Sequence, residues 1–317
     1  MINSPDVAAT LADLQKREVI ARIWRKDHTV WKPEPGEIAD RLGWLTVTDL
    51  MTEQIPALTS FAEEIRNAGF RNVVLLGMGG AALGSEVLRQ TFGSAVGYPE
   101  LIVLDSTVPA WVQAVTESID PTRTLFLVSS KSGGTIETLS SYKYFRDLVE
   151  QAAGKKRAGQ NFVAITDPGT PLVKLAGEAE FRRVFLNPAD VGGRYSVLSY
   201  FGLVPAALMG IDIAALLEQA NYMRERCASD VPASENLGAL LGVTMATLAR
   251  HGRDKLTLVT SPSIGSLGLW VEQMLKLNLG SQDKTVFQAL QRDYPPQRSF
   301  VDARLGDSRF CEGNLTI

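Results

Sequence analysis

The chain has 317 residues, with 32 Lys and Arg against 35 Asp and Glu and a formal net charge of −3. It is 45% hydrophobic and 21% charged, with two cysteines, so intrinsic disorder, collagen-like repeats and a disulfide scaffold are excluded. This charge balance provides no basic surface for nucleic acid or an anionic membrane. At roughly 150 residues per domain, the length predicts about two domains.

Residues 1–50 are predicted to form a helical cap or linker. Apolar residues at helical spacing between Leu11 and Ile23 indicate a helix, and Pro33 and Pro35 interrupt any helix after it. The start of the chain lacks the basic and apolar regions of a signal peptide. The two cysteines are isolated, which is typical of a reducing compartment and predicts a cytoplasmic protein.

Residues 51–212 repeat a strand–turn–helix pattern. The predicted strands are Asn72–Leu76, Leu101–Leu104, Leu125–Val128 and Phe162–Ile165. Short, almost wholly apolar strands that alternate with amphipathic helices predict a doubly wound parallel α/β sheet covered on both faces. Ligands of such sheets bind beyond the carboxyl ends of the strands.

Residues 213–317 are predicted to be an incomplete second α/β domain. Helical sequence runs to about Arg250, followed by one strand at Lys255–Val259 and a helix from Ile264 to about Lys276. From about residue 275 the tail is atypical and shows no strand or helix period.

The longest apolar stretch, Tyr200–Leu217, contains Pro205, Gly210 and Asp212, which predicts a pair of buried helices rather than a membrane span.

A glycine-rich turn follows the first predicted strand. Gly77, Gly79 and Gly80 allow backbone N–H groups to approach an anion at a helix N-terminus. A dinucleotide fingerprint is an alternative, with Ala82 in place of its third glycine and Asp105 as the ribose-binding acid. A tight turn without a ligand is the other alternative.

The loop after the third predicted strand brings three hydroxyl groups together. Ser130, Ser132 and Thr135 lie beside Lys131 and two glycines, between a strand and a helix. Hydroxyls at a helix N-terminus suit a phosphate monoester, whose charge the helix dipole attracts. Helix capping is the alternative, but three hydroxyls exceed what one cap needs. The loop lacks the nucleoside-triphosphate motif.

A third loop contains Gly192, Gly193 and Arg194. The glycines let the backbone hold the arginine closely, and a fixed guanidinium stabilises negative charge that develops on an oxygen. A helix-entry turn with a surface arginine is the alternative. His28 and His251 are each isolated, so a structural role is favoured over catalysis for both. The spacing of histidines and cysteines predicts no metal site.

Taken in order, the three loops resemble those of the phosphoglucose isomerase family. The resemblance runs from about residue 15 to about residue 273. It is greatest for the isomerase half of bacterial bifunctional transaldolase/phosphoglucose isomerase proteins, which residues 26–33 and 43–45 also resemble. The resemblance implies two flavodoxin-like sugar isomerase domains, with the active site between them at the interface of a homodimer. It implies the interconversion of glucose 6-phosphate and fructose 6-phosphate without a metal or cofactor.

The resemblance also assigns roles to individual residues. The positions that match substrate-binding residues of the family are Gly80, Ala81, Ser130, Lys131, Ser132 and Thr135. Arg194 matches the arginine that stabilises the enediolate intermediate. The family usually has a serine at the position of Ala81, so one hydroxyl is lost here while the backbone donor remains.

The chain departs from the family pattern at the catalytic base. The family has a glutamate soon after Trp-x-Glu-Gln, but here Trp270–Gln273 is followed by Leu277 at that position. Glu272 does not replace it, because five residues along a helix rotate the side chain by roughly 140°. With one choice of codons, the DNA that encodes residues 276–283 would encode Ala-Glu-Ser-Gly-Lys-Pro-Gly when read in another frame. We therefore hypothesise a frameshift near Met274–Lys276.

The sequence is compatible with three classes of function. An aldose–ketose isomerase, impaired by the missing glutamate, is the leading interpretation. A non-catalytic sugar-phosphate-binding module is the alternative, because it would keep the phosphate-binding loop and lack the base. A nucleotide-dependent dehydrogenase is the weakest of the three.

Overall fold

The computed structural model describes residues 4–278, 298–303 and 315–316. Its contacts divide into two compact units, one of Asp40–Glu218 and one of Met1–Ala39 with Gln219–Ile317. The predicted division of the sequence near residues 50 and 212 stays a prediction.

The helices and strands alternate along most of the chain. The α-helices are α1 Pro5–Lys16, α2 Val19–Trp24, α3 Val47–Asn67, α4 Gly80–Phe92, α5 Pro109–Ser118, α6 Ile136–Ala153, α7 Lys155–Ala158, α8 Pro171–Glu178, α9 Tyr200–Leu208, α10 Ile213–Arg226, α11 Leu237–Arg250 and α12 Leu267–Asn278. The strands are β1 Asn72–Gly77, β2 Glu100–Leu104, β3 Thr124–Ser129, β4 Phe162–Thr166, β5 Arg183–Leu186, β6 Lys255–Thr260, β7 Arg298–Ala303 and β8 Leu315–Thr316.

The unit Asp40–Glu218 contains a five-stranded parallel sheet in the order β2-β1-β3-β4-β5. This is the flavodoxin-like order, in which the chain moves outward from β1 to β2 and then crosses to the other side at β3. The predicted doubly wound sheet is confirmed. The carboxyl ends of β1 and β3 border the crevice where the direction reverses, and this is the place where such sheets bind ligands.

Both faces of this sheet are buried, which explains the continuous apolar strands. In β1, Val73 and Leu75 face one hydrophobic core, whereas Val74 and Leu76 face the other. Helices α3, α4 and α9 contribute to the first core, and α5, α6 and α8 to the second. Each fully buried apolar side chain stabilises the fold by about 1.5–3 kcal/mol, so the sheet is a rigid support for the loops at its edge.

Strand β5 was not predicted from the sequence. It lies at the edge of the sheet and buries one of its four residues, Phe185, while Arg183 is exposed. A short edge strand with an outward charge lacks the apolar run that identified β1 to β4. The predicted pair of helices at Tyr200–Leu217 is confirmed as α9 and the start of α10, which are joined through Gly210 at φ +74°.

The second unit pairs helices with a small sheet. Val7 and Leu11 of α1 pack with Ala233 and with Val243 of α11. Strand β6 pairs in parallel with β7, and β7 pairs in parallel with β8. The expectation that the tail contains no strand was wrong, because the β7 sequence has only two adjacent apolar residues and lacks a clear alternation. Leu277 lies in the last turn of α12, and residues 279–283 of the frameshift hypothesis lie outside the described residues.

Candidate functional site

Helix α4 begins at the carboxyl end of β1. Gly79 occupies the N-cap with φ +57° and ψ −127°, a conformation that favours glycine, and Gly80 is the first helical residue. The amide of Ala81 donates a 3.3 Å hydrogen bond to the carbonyl of Met78. The turn therefore places the positive end of the α4 dipole beside the crevice between β1 and β3.

The loop of residues 130–135, called here the phosphate loop, lies at the carboxyl end of β3. The Ser130 and Thr135 hydroxyl oxygens are 2.9 Å apart. The hydroxyl of Ser132 accepts a 3.3 Å hydrogen bond from the Gly134 amide. Thr135 occupies the N-cap of α6, yet within the described residues its side chain makes no capping hydrogen bond. Capping therefore does not explain why Thr135 is present.

Gly133 fixes the shape of the phosphate loop. Its φ is +65°, and a Cβ atom here would lie 2.6 Å from Cβ of Thr170. Its amide donates a 3.2 Å hydrogen bond to the carbonyl of Ser130. Any other residue would be strained by the backbone angle and would also collide with the turn between β4 and α8.

The Lys131 side chain leaves the phosphate loop and binds the two neighbouring loops of the sheet. Its ammonium donates to Oδ2 of Asp167, just after β4, and to the carbonyl of Ala189 at 2.9 Å, after β5. The carboxyl of Asp167 is largely buried, and burial raises its pKa while Lys131 opposes this shift.

The loop of residues 191–196, called here the arginine loop, packs against the start of α4. A Cβ atom on Gly80 would lie 2.5 Å from the Gly193 carbonyl carbon and 2.9 Å from the Arg194 amide nitrogen. The Ser196 hydroxyl donates a 2.6 Å hydrogen bond to the Gly193 carbonyl. The half-buried Arg194 thus belongs to a loop in backbone contact with the first turn of α4.

The glycines of the arginine loop have a different role from the one predicted from the sequence. Gly192 has φ −63°, and Gly193 also lacks a positive φ, so neither uses a conformation reserved for glycine. The close approach instead requires a glycine at Gly80, because its missing side chain leaves room for the arginine loop.

Residues 41–45 form a further support that the sequence interpretation did not connect to the site. Leu42 forms an antiparallel bridge with Val191, and the Gly43 amide donates a 2.7 Å hydrogen bond to the Asp190 carbonyl. The Trp44 ring stacks on Tyr195 at 5.6 Å between centroids. These contacts hold residues 190–191, which precede Arg194, and Tyr195, which follows it. The Gly-Trp-Leu motif was the available signal in the sequence. Its spacing does not show that it contacts residues 190–195.

The two histidines belong to the other unit. His28 lies in a short 3₁₀ turn capped by Asp27, and hydrogen bonds from Thr29 and Arg22 lower the Asp27 pKa to about 2. Nε2 of His251 lies 3.1 Å from Oδ2 of Asp6, and both side chains are exposed.

Among the described residues, no group of three or more His, Cys, Asp or Glu side chains could hold a metal ion. Over the same residues, no helix has the length and apolar character needed to cross a membrane.

The sequence-predicted residues thus form two groups of contacts. Gly80 meets Gly193 and Arg194, and Ser130 meets Thr135. Ala81 is joined to the end of β3, because its carbonyl accepts a 3.1 Å hydrogen bond from the Ser129 hydroxyl. The substrate-binding and catalytic roles of these residues stay predictions. The sequence interpretation did not assign Asp167 or Ala189 to the site. The available signal for Asp167 was a charged residue directly after the predominantly apolar strand β4.

Comparison with known proteins identifies the family. The phosphoglucose isomerase family profile matches residues 48–285. A glucose-6-phosphate isomerase from Staphylococcus saprophyticus is 28% identical over 280 residues, which cover 86% of this chain and 62% of the relative. One from Carboxydothermus hydrogenoformans is 30% identical over 261 residues, covering 79% of this chain and 55% of the relative. The chain therefore spans less than two thirds of the length of these relatives.

Solved structures show the same fold. The crystal structure of a hypothetical protein from Thermus thermophilus superposes with a TM-score of 0.80 at 27% identity, covering 94% of this chain and 73% of that one. A glucose-6-phosphate isomerase from Chlamydia trachomatis superposes with a TM-score of 0.65 at 22% identity, covering 82% and 48%. With the family profile matching most of its length, the chain belongs to the phosphoglucose isomerase family.

Proposed function

We propose that this chain binds a phosphorylated sugar at the carboxyl ends of β1 and β3. The observation that carries the proposal is the pair of hydroxyls of Ser130 and Thr135, 2.9 Å apart in the phosphate loop. Helices α4 and α6 both begin at this edge of the sheet, and neither has a side-chain cap in the described structure. Hydroxyl donors and two helix dipoles favour a phosphate monoester at this place.

We further propose that the reaction is the interconversion of glucose 6-phosphate and fructose 6-phosphate. Relatives over most of the chain are named glucose-6-phosphate isomerase, which supports this substrate pair. The reaction requires ring opening, removal of the C2 proton and its return to C1. In the proposal, Arg194 stabilises negative charge on the enediolate oxygens, and the phosphate contacts supply binding energy that positions the sugar. The reaction as proposed uses no cofactor.

Leu277 makes weak turnover the expected result for this chain. A leucine has no proton to exchange, so the proton transfer at C2 would lack its usual carboxylate. The same observation favours the second candidate function, a sugar-phosphate-binding module without catalysis. A frameshift near Met274–Lys276 would explain the change. Resequencing of the DNA that finds no alternative-frame Glu-Ser-Gly-Lys would exclude that explanation.

Two measurements on the same sample separate the candidates. Calorimetry with fructose 6-phosphate reports binding, and a coupled dehydrogenase assay reports conversion to glucose 6-phosphate. Binding with turnover supports the isomerase, and binding without turnover supports the module. Absence of both would reject an assembled phosphate site.

The proposal extends to the setting of the protein. We propose a cytoplasmic homodimer, because the family resemblance puts the active site at a dimer interface and the isolated cysteines suit a reducing compartment. Sedimentation analysis of the purified chain tests whether it forms a homodimer. A monomer at all concentrations would contradict this part of the proposal.

A further inference from the structure

We infer that the Lys131 side chain is a positioning group that ties the phosphate loop to the arginine loop, and that it is not itself a phosphate ligand. The inference rests on the proposed function, since it assigns a role within the same sugar-phosphate site. The group of Lys131, Asp167 and Ala189 is called the lysine clamp below.

The first argument is the direction of the ammonium group. Lysine has three N–H donors, and here two are directed at Asp167 and at the Ala189 carbonyl. The Lys131 side chain is 22% exposed and that of Asp167 is 11% exposed, so the pair is largely removed from water. The carboxylate cancels the lysine charge at contact distance, which leaves little net attraction for a phosphate.

The second argument is that the main chain reinforces the same connection. The Asp167 amide donates a 3.3 Å hydrogen bond to the Lys131 carbonyl, and the Ser130 amide donates a 3.0 Å hydrogen bond to the Ile165 carbonyl. The start of the phosphate loop is therefore bonded to the end of β4 through these two backbone contacts and two side chains. The second side chain is that of Thr166, whose hydroxyl donates a 3.5 Å hydrogen bond to the Lys131 carbonyl. Breaking the ion pair would leave a buried, unpaired carboxylate, which proteins tolerate poorly.

The third argument is the position of Ala189 along the chain. Four residues lie between Ala189 and Arg194. The far end of this stretch packs against Gly80 and accepts a hydrogen bond from Ser196. The lysine clamp holds the near end. Because one side chain contacts the loops after β4 and β5, its loss would remove one of three supports of the arginine loop. The other two are residues 41–45 and the contacts of Gly80 and Ser196.

The test compares a ligand that reaches both loops with one that reaches only the phosphate loop. Calorimetry is run with fructose 6-phosphate and with inorganic phosphate on Lys131→Met, Lys131→Arg and Asp167→Asn. Lys143→Met, which removes an exposed lysine charge on α6, is the matched control. Hydrogen exchange of the amides at residues 187–194 is measured on every variant.

If the lysine clamp positions the arginine loop, its loss should weaken the binding of fructose 6-phosphate more than the binding of inorganic phosphate. Lys131→Met and Asp167→Asn should weaken fructose 6-phosphate binding roughly tenfold, a typical coupling between two sites, while phosphate alone changes less than about threefold. Lys131→Arg should restore binding, since its guanidinium can reach both oxygens. Exchange at residues 187–194 should accelerate in Lys131→Met but not in Lys143→Met.

Other outcomes overturn the inference. Equal weakening of both ligands in Lys131→Met would make the ammonium a direct phosphate ligand, and unchanged binding and exchange would remove any positioning role. If the unaltered protein binds neither compound, the proposed function fails. The exchange comparison then still decides whether the lysine clamp holds the arginine loop.

Discussion

A Cβ atom on Gly80 would lie 2.9 Å from the amide nitrogen of Arg194, so the first residue of α4 and the arginine loop are in direct backbone contact. Two segments that are separated by more than one hundred residues in sequence are therefore adjacent at the edge of the sheet. The contact depends on the absence of a side chain at Gly80.

Replacing Gly80 should displace the arginine loop. Gly80→Ala would force a methyl group against the Gly193 backbone, and such overpacking costs about 1–3 kcal/mol of the free energy of unfolding. Gly177→Ala is the matched control, because a Cβ there meets no atom within 4 Å. Urea unfolding measures both variants. Equal stability of the two would show that the close approach has no energetic consequence.

Loss of either hydroxyl of the phosphate loop should weaken sugar-phosphate binding. Ser130→Ala or Thr135→Val removes a hydrogen bond to a charged ligand, which is worth about 1.5–3 kcal/mol, or roughly 10- to 100-fold in affinity. Calorimetry with fructose 6-phosphate measures the change. Ser140→Ala, at an exposed position on α6, serves as the control and should bind as the unaltered protein does. Affinities that stay within about twofold in all three variants would contradict a phosphate site at this loop.

Arg194→Ala should separate chemistry from binding. Loss of a group that stabilises developing charge lowers turnover by about 100- to 1,000-fold, whereas most of the phosphate binding should remain. The sensitive measurement is exchange of the sugar C1 or C2 proton for deuterium, followed by NMR. Arg157→Ala, at an exposed position on α7, is the control. Proton exchange that is unchanged in Arg194→Ala would remove this residue from the mechanism.

Asp27 should make stability depend on acid pH. The Thr29 hydroxyl contributes most to lowering the Asp27 pKa from 3.8 to about 2 in the folded chain. Because the folded value is lower than the unfolded one, the stabilisation is present above about pH 4 and is lost as pH falls through about 2. The difference in Tm between the unaltered protein and Asp27→Asn should therefore shrink from pH 6 to pH 2.

A second variant checks the cause of that shift. Thr29→Val removes the hydroxyl that accounts for the largest part of it and should raise the Asp27 pKa toward 3.8. An Asp27→Asn difference in Tm that stays constant over the same pH range would contradict the assignment.

The central sheet could be predicted because burial on both faces leaves a strong signal. Strands β1 to β4 each contain four consecutive apolar residues. In each, this run is followed by Gly, Ser, Thr or Asp at the ligand-binding edge. Strand β5 was missed because it is only four residues long and buries one of them, and β7 because its six residues show no alternation. Sequence patterns indicate a strand when about four or more apolar residues are continuous or when apolar residues alternate with polar ones, and the sequences of these two strands show neither pattern.

The site could be predicted only in part. The spacing of Ser130, Ser132 and Thr135 after a strand indicated a hydroxyl-rich loop, and the structure places Ser130 beside Thr135. The direction of the Lys131 side chain could not be predicted, because its partners are 36 and 58 residues away in sequence. Nothing local distinguishes a lysine that binds a ligand from one that binds the neighbouring loop.

The most direct test of the central claim is amide chemical-shift mapping with fructose 6-phosphate on the uniformly ¹⁵N-labelled chain. A single sugar-phosphate site predicts saturable shifts that cluster at residues 77–81, 130–135 and 192–196. Ser130→Ala should require a higher ligand concentration for the same shifts. Absence of shifts at the phosphate loop, or saturable shifts located only elsewhere in the chain, would contradict the site.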